Sequence, residues 1–268
     1  MRAPLARETP IYCVSPMEEH VLGARKKLYP EMAFGGFTRL DGTIRFCSRV
    51  QALLPESGTV LDVGCGRASR QADPSPYRAG LQDFRAPGRT VIGIDVDPGA
   101  SDNPFVDEFR LIDDTERWPV ESDSVDLIYS DYVLEHVDDP VTFFREVARV
   151  TRAGGYACFR TPNAWSYISL AARLVPNRRH ADVVSKVSTQ SEREERDVFP
   201  TVYRANRPRT IRKLLDEAGF DSVVFAMESE PGYLDFSSLA YRLGALLHAV
   251  LPPAFQSTLV AFACKRAG

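Results

Sequence analysis

The sequence predicts an α/β fold built on a parallel sheet, and three features carry that prediction. Short runs of β-type residues alternate with helical patterns through the middle of the chain, the signature of successive βαβ units. One well-marked helix, predicted over Pro140–Thr151, joins two of those runs and makes a right-handed crossover the default connection. A buried run, Val60-Leu61-Asp62-Val63, leads straight into a Gly64-Cys65-Gly66 turn, and strand ends of this kind are where open α/β sheets place their ligands.

Taken in order, the first stretch holds Tyr12, Tyr29, Phe34 and Phe37 with little periodicity and reads as an arm or lid. Ile44, Phe46, Val50, Leu53 and Leu54 mark a helix that stops before Pro55 and leads into a first strand at Thr59–Val63. Further strands are predicted at Thr90–Asp95, Phe109–Ile112, Val125–Ser130 and Tyr156–Arg160. Pro74 and Pro76 leave room only for a short helix after the glycine turn, and Asp73–Arg89 reads as an insertion beside it. In the Pro140–Thr151 helix, Val141, Phe144, Val147, Ala148 and Val150 fall mostly on one face, and Gly154-Gly155 are the stop signal. Past Pro162, a helix around Trp165–Leu174 precedes a polar stretch, Val175–Phe199, whose charge run over 192–197 reads as a solvated loop. Periodicity returns at Ile211, Leu214 and Leu215, ends at Gly219, and gives way to a strand at Val223–Met227. A helical excursion through Tyr241–Leu251 leads to a closing strand, Thr258–Cys264. The chain thus divides into an N-terminal arm and lead-in helix (1–57), a core (58–163), a cap insertion (164–205) and a C-terminal completion of the sheet (206–268).

Composition sets limits on function. A hydrophobic share of 44% in 268 residues is ample for a full core and excludes disorder as the main state. Lys+Arg 33 against Asp+Glu 36 gives a net charge of -3, so no basic excess draws the protein to nucleic acid or an anionic membrane. Five scattered cysteines, with no Cys-x-x-Cys pair and no His at zinc-ligand spacing, predict a reduced, cytoplasmic protein without a structural metal. No secretory leader is legible near the N-terminus, and the apolar run Leu243–Leu251 falls well short of the ~20 residues that a membrane span needs.

The glycine turn lets a ligand approach main-chain N–H groups, and three acidic features refine which ligand. Asp62, just before the turn, would repel a pyrophosphate and attract an ammonium. Asp95 closes the second strand, where a carboxylate accepts hydrogen bonds from both hydroxyls of a ribose. Asp113 and Asp114 follow the third strand, beside the position of a purine amino group. Adenosine with a free α-amino group and no phosphate satisfies all three, and S-adenosylmethionine is that ligand. A nicotinamide dinucleotide is the competing reading, but the acid lies further from the turn than its motif requires and no third glycine follows Gly66.

These residues, with the run from Asp123 to Ser130 and Val133-Leu134-Glu135-His136-Val137, resemble the class I S-adenosylmethionine-dependent methyltransferases, in particular the branch with a Leu-Glu-His-Val element. Arg149-Val150, Gly154-Gly155 and Thr161-Pro162-Asn163 are similar to the end of the same core, so the likeness runs from about Val60 to Asn163. It implies a Rossmann-like, mostly parallel sheet of seven strands with helices on both faces and the last strand antiparallel to its neighbours. It also implies Asp62, Gly64, Cys65 and Gly66 around the methionine part of the cofactor and Asp95 with Val96 on the ribose. Asp114 and Thr115 would meet the adenine, with Asp113 the alternative if the register shifts by one. Ser130, Asp131 and Tyr132 would line the opening beside the sulfonium. Arg67 stands where many relatives have a small residue, and either pairs with the cofactor carboxylate or faces solvent.

Methyl transfer from a sulfonium is an in-line displacement in which positioning counts for ~7–11 kcal/mol of barrier and a general base for about 10²–10⁴-fold. His136, after the fourth strand, and His180, in the cap, are the candidate bases, and Tyr132 completes the catalytic candidates. His136 serves equally as a residue that fixes its own turn. His20 and His248 stand in no supporting motif. Tyr12, Tyr29, Tyr132, Trp165 and Tyr203 are available to surround a cation or to fill a core. Arg178 and Arg179 either grip an anionic substrate or face solvent. The expected activity is methylation of a small metabolite, at oxygen in preference to nitrogen or carbon, with no nucleic-acid partner and no stable membrane insertion. Two alternatives stay open: cyclisation of the cofactor's aminobutyrate arm with release of methylthioadenosine, and a non-catalytic S-adenosylmethionine-binding module. Oligomeric state is not legible.

Overall fold

Aliphatic and β-branched runs fold into seven strands: β1 (Gly58–Val63), β2 (Arg89–Asp95), β3 (Glu108–Leu111), β4 (Val125–Asp131), β5 (Thr151–Pro162), β6 (Phe220–Met227) and β7 (Thr258–Lys265). They form one sheet in the order β3-β2-β1-β4-β5-β7-β6. β7 runs antiparallel to β5 and β6, while β3, β2, β1, β4 and β5 pair in parallel. The computed structural model describes residues 23, 25–67, 73, 75–167, 169, 200–231, 234 and 237–267.

Side chains alternate across each strand, so the sheet has two apolar faces, and different helices cover them. Helix α1 (Gly42–Leu53) begins where the Asp41 carboxylate accepts from Ile44 N–H, and it buries Phe46, Cys47 and Val50 against Val60, Leu127, Tyr129 and Val260. Helix α2 (Pro76–Leu81) is the short one that its prolines predict. Helices α3 (Pro140–Val150) and α4 (Pro208–Glu217) cover the other face, where Phe144, Val147, Ile211 and Leu215 meet Leu61, Ile94, Ile128 and Phe159. Each such side chain contributes ~1.5–3 kcal/mol by leaving water. Helix α5 (Ser238–Val250) buries Tyr241, Gly244 and His248.

The structure corrects several boundaries, and β6, for one, begins at Phe220 and not at Val223. Helix α3 ends at Val150, before the glycines, because Thr151 takes an extended backbone and pairs with Val125 of β4. Gly154, at φ +73°, therefore lies inside β5, near the register shift between Val125 and Leu127. β3 covers Glu108–Leu111, not Phe109–Ile112. The charge run over 192–197, His20 and most of the Trp165–Leu174 helix lie outside the described residues. Among the described residues, no helix is long and apolar enough to cross a membrane.

Candidate active site at the carboxyl edge of the sheet

β1 lies between β2 and β4, and the chain leaves β1 toward one side of the sheet and β4 toward the other. The crevice above this switch point is the expected ligand site of an open α/β sheet. Gly64 turns the chain at φ +70°, and its N–H donates to the Ile94 carbonyl at 2.8 Å. Gly66, at φ +57°, donates its N–H to Asp95 Oδ2 at 2.9 Å. Asn103 holds the same turn from below, its Nδ2 donating to the Cys65 and Gly66 carbonyls at 2.8 and 3.0 Å. The sequence reading missed Asn103, since no local pattern links it to the turn.

Asp95 is buried, and its other oxygen accepts from Asp97 N–H at 2.9 Å. The carboxylate is thus fixed at the strand end by two backbone donors and retains lone pairs for further ones. Val96, next along, keeps 49% of its surface, an exposed apolar face beside a polar crevice. Asp62 is buried in register with Gly93 and Tyr129. Asp113, Asp114 and Thr115 are exposed just beyond β3, where Asp114 accepts from Glu116 N–H. Arg67 donates to Asp97 through Nε (2.6 Å) and Nη2 (3.1 Å), and that hydrogen-bonded pairing holds the Asp97 carboxyl below its ordinary value. It is therefore not a simple solvent-facing charge.

On the β4 side, Ser130 Oγ is buried and meets no hydrogen-bond partner, although its residue is only 1% exposed. Asp131 is held by its neighbours. Its oxygens accept from Arg160 Nε and Nη2 at 2.6 and 2.5 Å and from the Tyr129 hydroxyl at 2.9 Å. Arg160 also donates to Thr43 and lies over the rings of Phe46 and Tyr132 at 5.3 and 5.1 Å. Tyr132 takes a left-handed backbone, φ +57°, and desolvation pushes its phenol above the ordinary value against the pull of Arg160.

The Leu-Glu-His-Val element forms a 3₁₀ turn over Leu134–His136. Leu134 enters the core, while the buried Glu135 carboxylate accepts from the Thr161 hydroxyl at 2.9 Å, and Asn206 Nδ2 donates to Thr161 Oγ1 at 2.6 Å. The Glu135 carbonyl accepts from Val202 and Tyr203 N–H. His136 donates Nδ1–H to the Pro200 carbonyl at 3.0 Å, and its Nε2 lies 4.0 Å from Glu135 Oε1. The element thus holds the chain over Pro200–Tyr203, and His136 makes a structural contact there. Glu135, Thr161 and Asn206 were absent from the predicted set. His180 lies outside the described residues, and Tyr29 packs against Tyr241 in a separate small cluster.

This crevice fits a nucleoside sulfonium. A Cβ placed on Gly66 would meet nothing within 4 Å, so the turn borders open space, and the orphaned Ser130 hydroxyl offers an unused polar contact.

A family described as a methyltransferase domain matches residues 38–224. A malonyl-[acyl-carrier protein] O-methyltransferase of Yersinia pestis is 30% identical over 129 residues, 46% of this chain and 44% of that protein. An uncharacterized 37.1 kDa protein in a Streptomyces fradiae transposon is 29% identical over 123 residues, 42% of this chain and 32% of that protein. The chain thus spans less than half the length of the curated relatives it matches. In fold, it is similar to an S-adenosylmethionine-dependent methyltransferase from Methanosarcina mazei, with a TM-score of 0.50 and 18% identity over 82% of this chain and 98% of that one. The chain belongs to the class I S-adenosylmethionine-dependent methyltransferases, and S-adenosylmethionine is its cofactor.

Proposed function

We propose that the protein methylates an oxygen of a small-molecule acceptor by in-line displacement. The observation that carries the cofactor half of this reading is the buried Asp95 carboxylate, held between Gly66 N–H and Asp97 N–H and ready to accept from ribose hydroxyls. Asp62 would face the α-amino group, with Gly64, Cys65 and Gly66 along the methionine part. Val96 would pack beside the ribose, and Asp114 and Thr115, or Asp113, would meet the adenine. Ser130 would offer its unused hydroxyl to the cofactor, with Asp131 and Tyr132 at the opening. Arg67 would reach the cofactor carboxylate only by loosening its hold on Asp97.

When bound, the cofactor supplies a methyl group on a positively charged sulfur. The chain's own task is to hold the acceptor in line and keep water out, with His136 Nε2, Tyr132 and His180 as candidates for moving a proton. The Yersinia pestis relative, named as an O-methyltransferase, supports oxygen as the acceptor atom. The absence of a basic stripe in the sequence supports a small acceptor over nucleic acid. A reducing, cytoplasmic setting belongs to the proposal, and Cys47, Cys65 and Cys158 are buried.

The test is calorimetry on Asp95→Ala. The variant is expected to bind S-adenosylmethionine at least ~10-fold more weakly, the equivalent of losing hydrogen bonds to a charged group, with its circular dichroism retained. Unchanged affinity overturns the ribose assignment. Product analysis tests the chemistry: S-adenosylhomocysteine is expected, and methylthioadenosine would indicate cyclisation instead.

A further inference from the structure

Helix α5 has two opposite faces, and both are apolar. With about 3.6 residues per turn, Tyr241, Gly244 and His248 share one face, and all three are buried. Their contacts fix that face inward. The Tyr241 hydroxyl donates to Glu230 Oε2 at 3.2 Å, His248 Nδ1 lies 3.0 Å from the Ser229 carbonyl, and a Cβ on Gly244 would run into Leu234. Leu239, Leu243, Leu246 and Val250 therefore point the other way, and they keep 65%, 58%, 64% and 77% of their surface. Leu247, on one flank, keeps 41%. Arg242, on the other flank, is the only charged residue among the exposed positions of the helix. A surface helix ordinarily turns its polar side to water, and this one does not. The five apolar side chains together present on the order of 600 Å², the top of the range for the largest apolar patch of a monomer.

We propose that this stripe docks a second copy of the chain, the two α5 helices lying antiparallel about a two-fold axis. The spacing of the stripe selects that partner. Steps of four, three and four residues are the seam of a two-helix coiled coil, and they read the same in both directions. A two-fold axis through the middle of the stripe sets Leu243 against Leu246 of the partner subunit and Leu239 against Val250 of the partner subunit. Every large side chain of the seam thus meets an apolar mate. Arg242 stands outside the seam, so no like charges are buried against each other. Covering the stripe on both copies removes about 1,200 Å² from water, the lower bound of a specific interface. A lipid surface is the other apolar partner that such a face could meet, and charge argues against it. Interfacial helices flank their apolar side with several Lys and Arg, whereas α5 exposes one Arg in a chain of net charge -3. The pairing uses no residue of the cofactor crevice and stands apart from the methyl-transfer reading.

Sedimentation velocity on the full chain at micromolar concentration is the test. The wild type is expected to run at twice its 29.9 kDa, and Leu243→Asp and Leu246→Asp each at 29.9 kDa, with circular dichroism and S-adenosylmethionine affinity unchanged. If either variant loses its circular dichroism, serine at the same position takes its place. The direction of pairing has a separate readout. Leu243→Cys and Leu246→Cys proteins, mixed and oxidised, are expected to form an intermolecular disulfide, and neither alone to exceed the wild-type background. A monomeric wild type, or a dimer that survives both charged variants, overturns the proposal. Cross-linking of Leu243→Cys alone to the level of the mixture overturns the antiparallel register. Sedimentation of a monomeric wild type with phosphatidylcholine vesicles, lost in Leu246→Asp, overturns the second copy and gives the stripe to a lipid surface.

Discussion

Gly64 and Gly66 stand two residues apart and answer to different constraints. A Cβ on Gly64 would come within 2.4 Å of Val133 Cγ2, on a backbone at φ +70°. Gly64→Ala is expected to destabilise the fold by about 1–3 kcal/mol through strain and the displaced Leu-Glu-His-Val turn. Gly66→Ala carries only the left-handed backbone penalty, roughly 1 kcal/mol, but puts a methyl into the space the cofactor would use. Thermal unfolding and calorimetry on the two variants separate these effects: the first loses melting temperature foremost, the second affinity. Equal losses on both measures would contradict the distinction. At this scale the glycine turn was legible because its signal lies in one strand and the turn that follows, and Asp95 because it closes a strand with a clear pattern of its own. Asn103, Thr161 and Asn206 were not, since their partners lie far away in sequence and only the folded sheet supplies them.

Among the elements, α3 shows how a helix fastens a neighbouring connection. The Glu146 carboxylate accepts from Trp118 N–H at 2.7 Å and from Arg149 Nε and Nη2 at 2.7 and 2.6 Å, and Arg149 also donates to the Trp118 and Val120 carbonyls. Burial pushes the Glu146 carboxyl up, yet the Arg149 and Trp118 hydrogen bonds outweigh it and hold the group below its ordinary value. A carboxyl depressed in the folded state stabilises fully above its unfolded value, ~4.3, and that contribution disappears as pH falls through the lower folded value. Glu146→Gln is therefore expected to lower stability by about 1–3 kcal/mol at neutral pH and to flatten the decline toward acid, as read by urea melts across the acid range. An unchanged acid limb would remove Glu146 from the account. The helix itself was read correctly, but Val141, counted on its apolar face, is exposed, and Phe143 is buried in the core instead. Its end was misread because Thr151 stops it by pairing with β4 and by donating Oγ1–H to the Val147 carbonyl, a tertiary event that outranks the glycine signal.

Across the molecule, the Arg160–Asp131 pair joins β5 to β4, and through Thr43 to α1. Both members are largely buried, so removing one charge strands the other: Asp131→Asn is expected to cost about 3–5 kcal/mol. Chemical denaturation checks this, and a variant as stable as the wild type would overturn it. The parallel half of the sheet was legible because each βα unit carries its own periodicity and turn residues. The side-chain contacts beside the antiparallel strands were not, and His248 illustrates the reason. It stands in no motif, and only α5, β6 and β7 folding together bring it to Tyr167 and Glu228.

The interior position of Thr258–Lys265 also bears on how the protein is born. A ribosome delivers Phe220–Met227 before the strand it must lean on, so that segment waits as an unpaired edge while the nucleoside-binding half is already free to assemble. Only when the later segment threads between its two neighbours do Ser257 and Glu228 meet, so this corner of the molecule is the last to be completed.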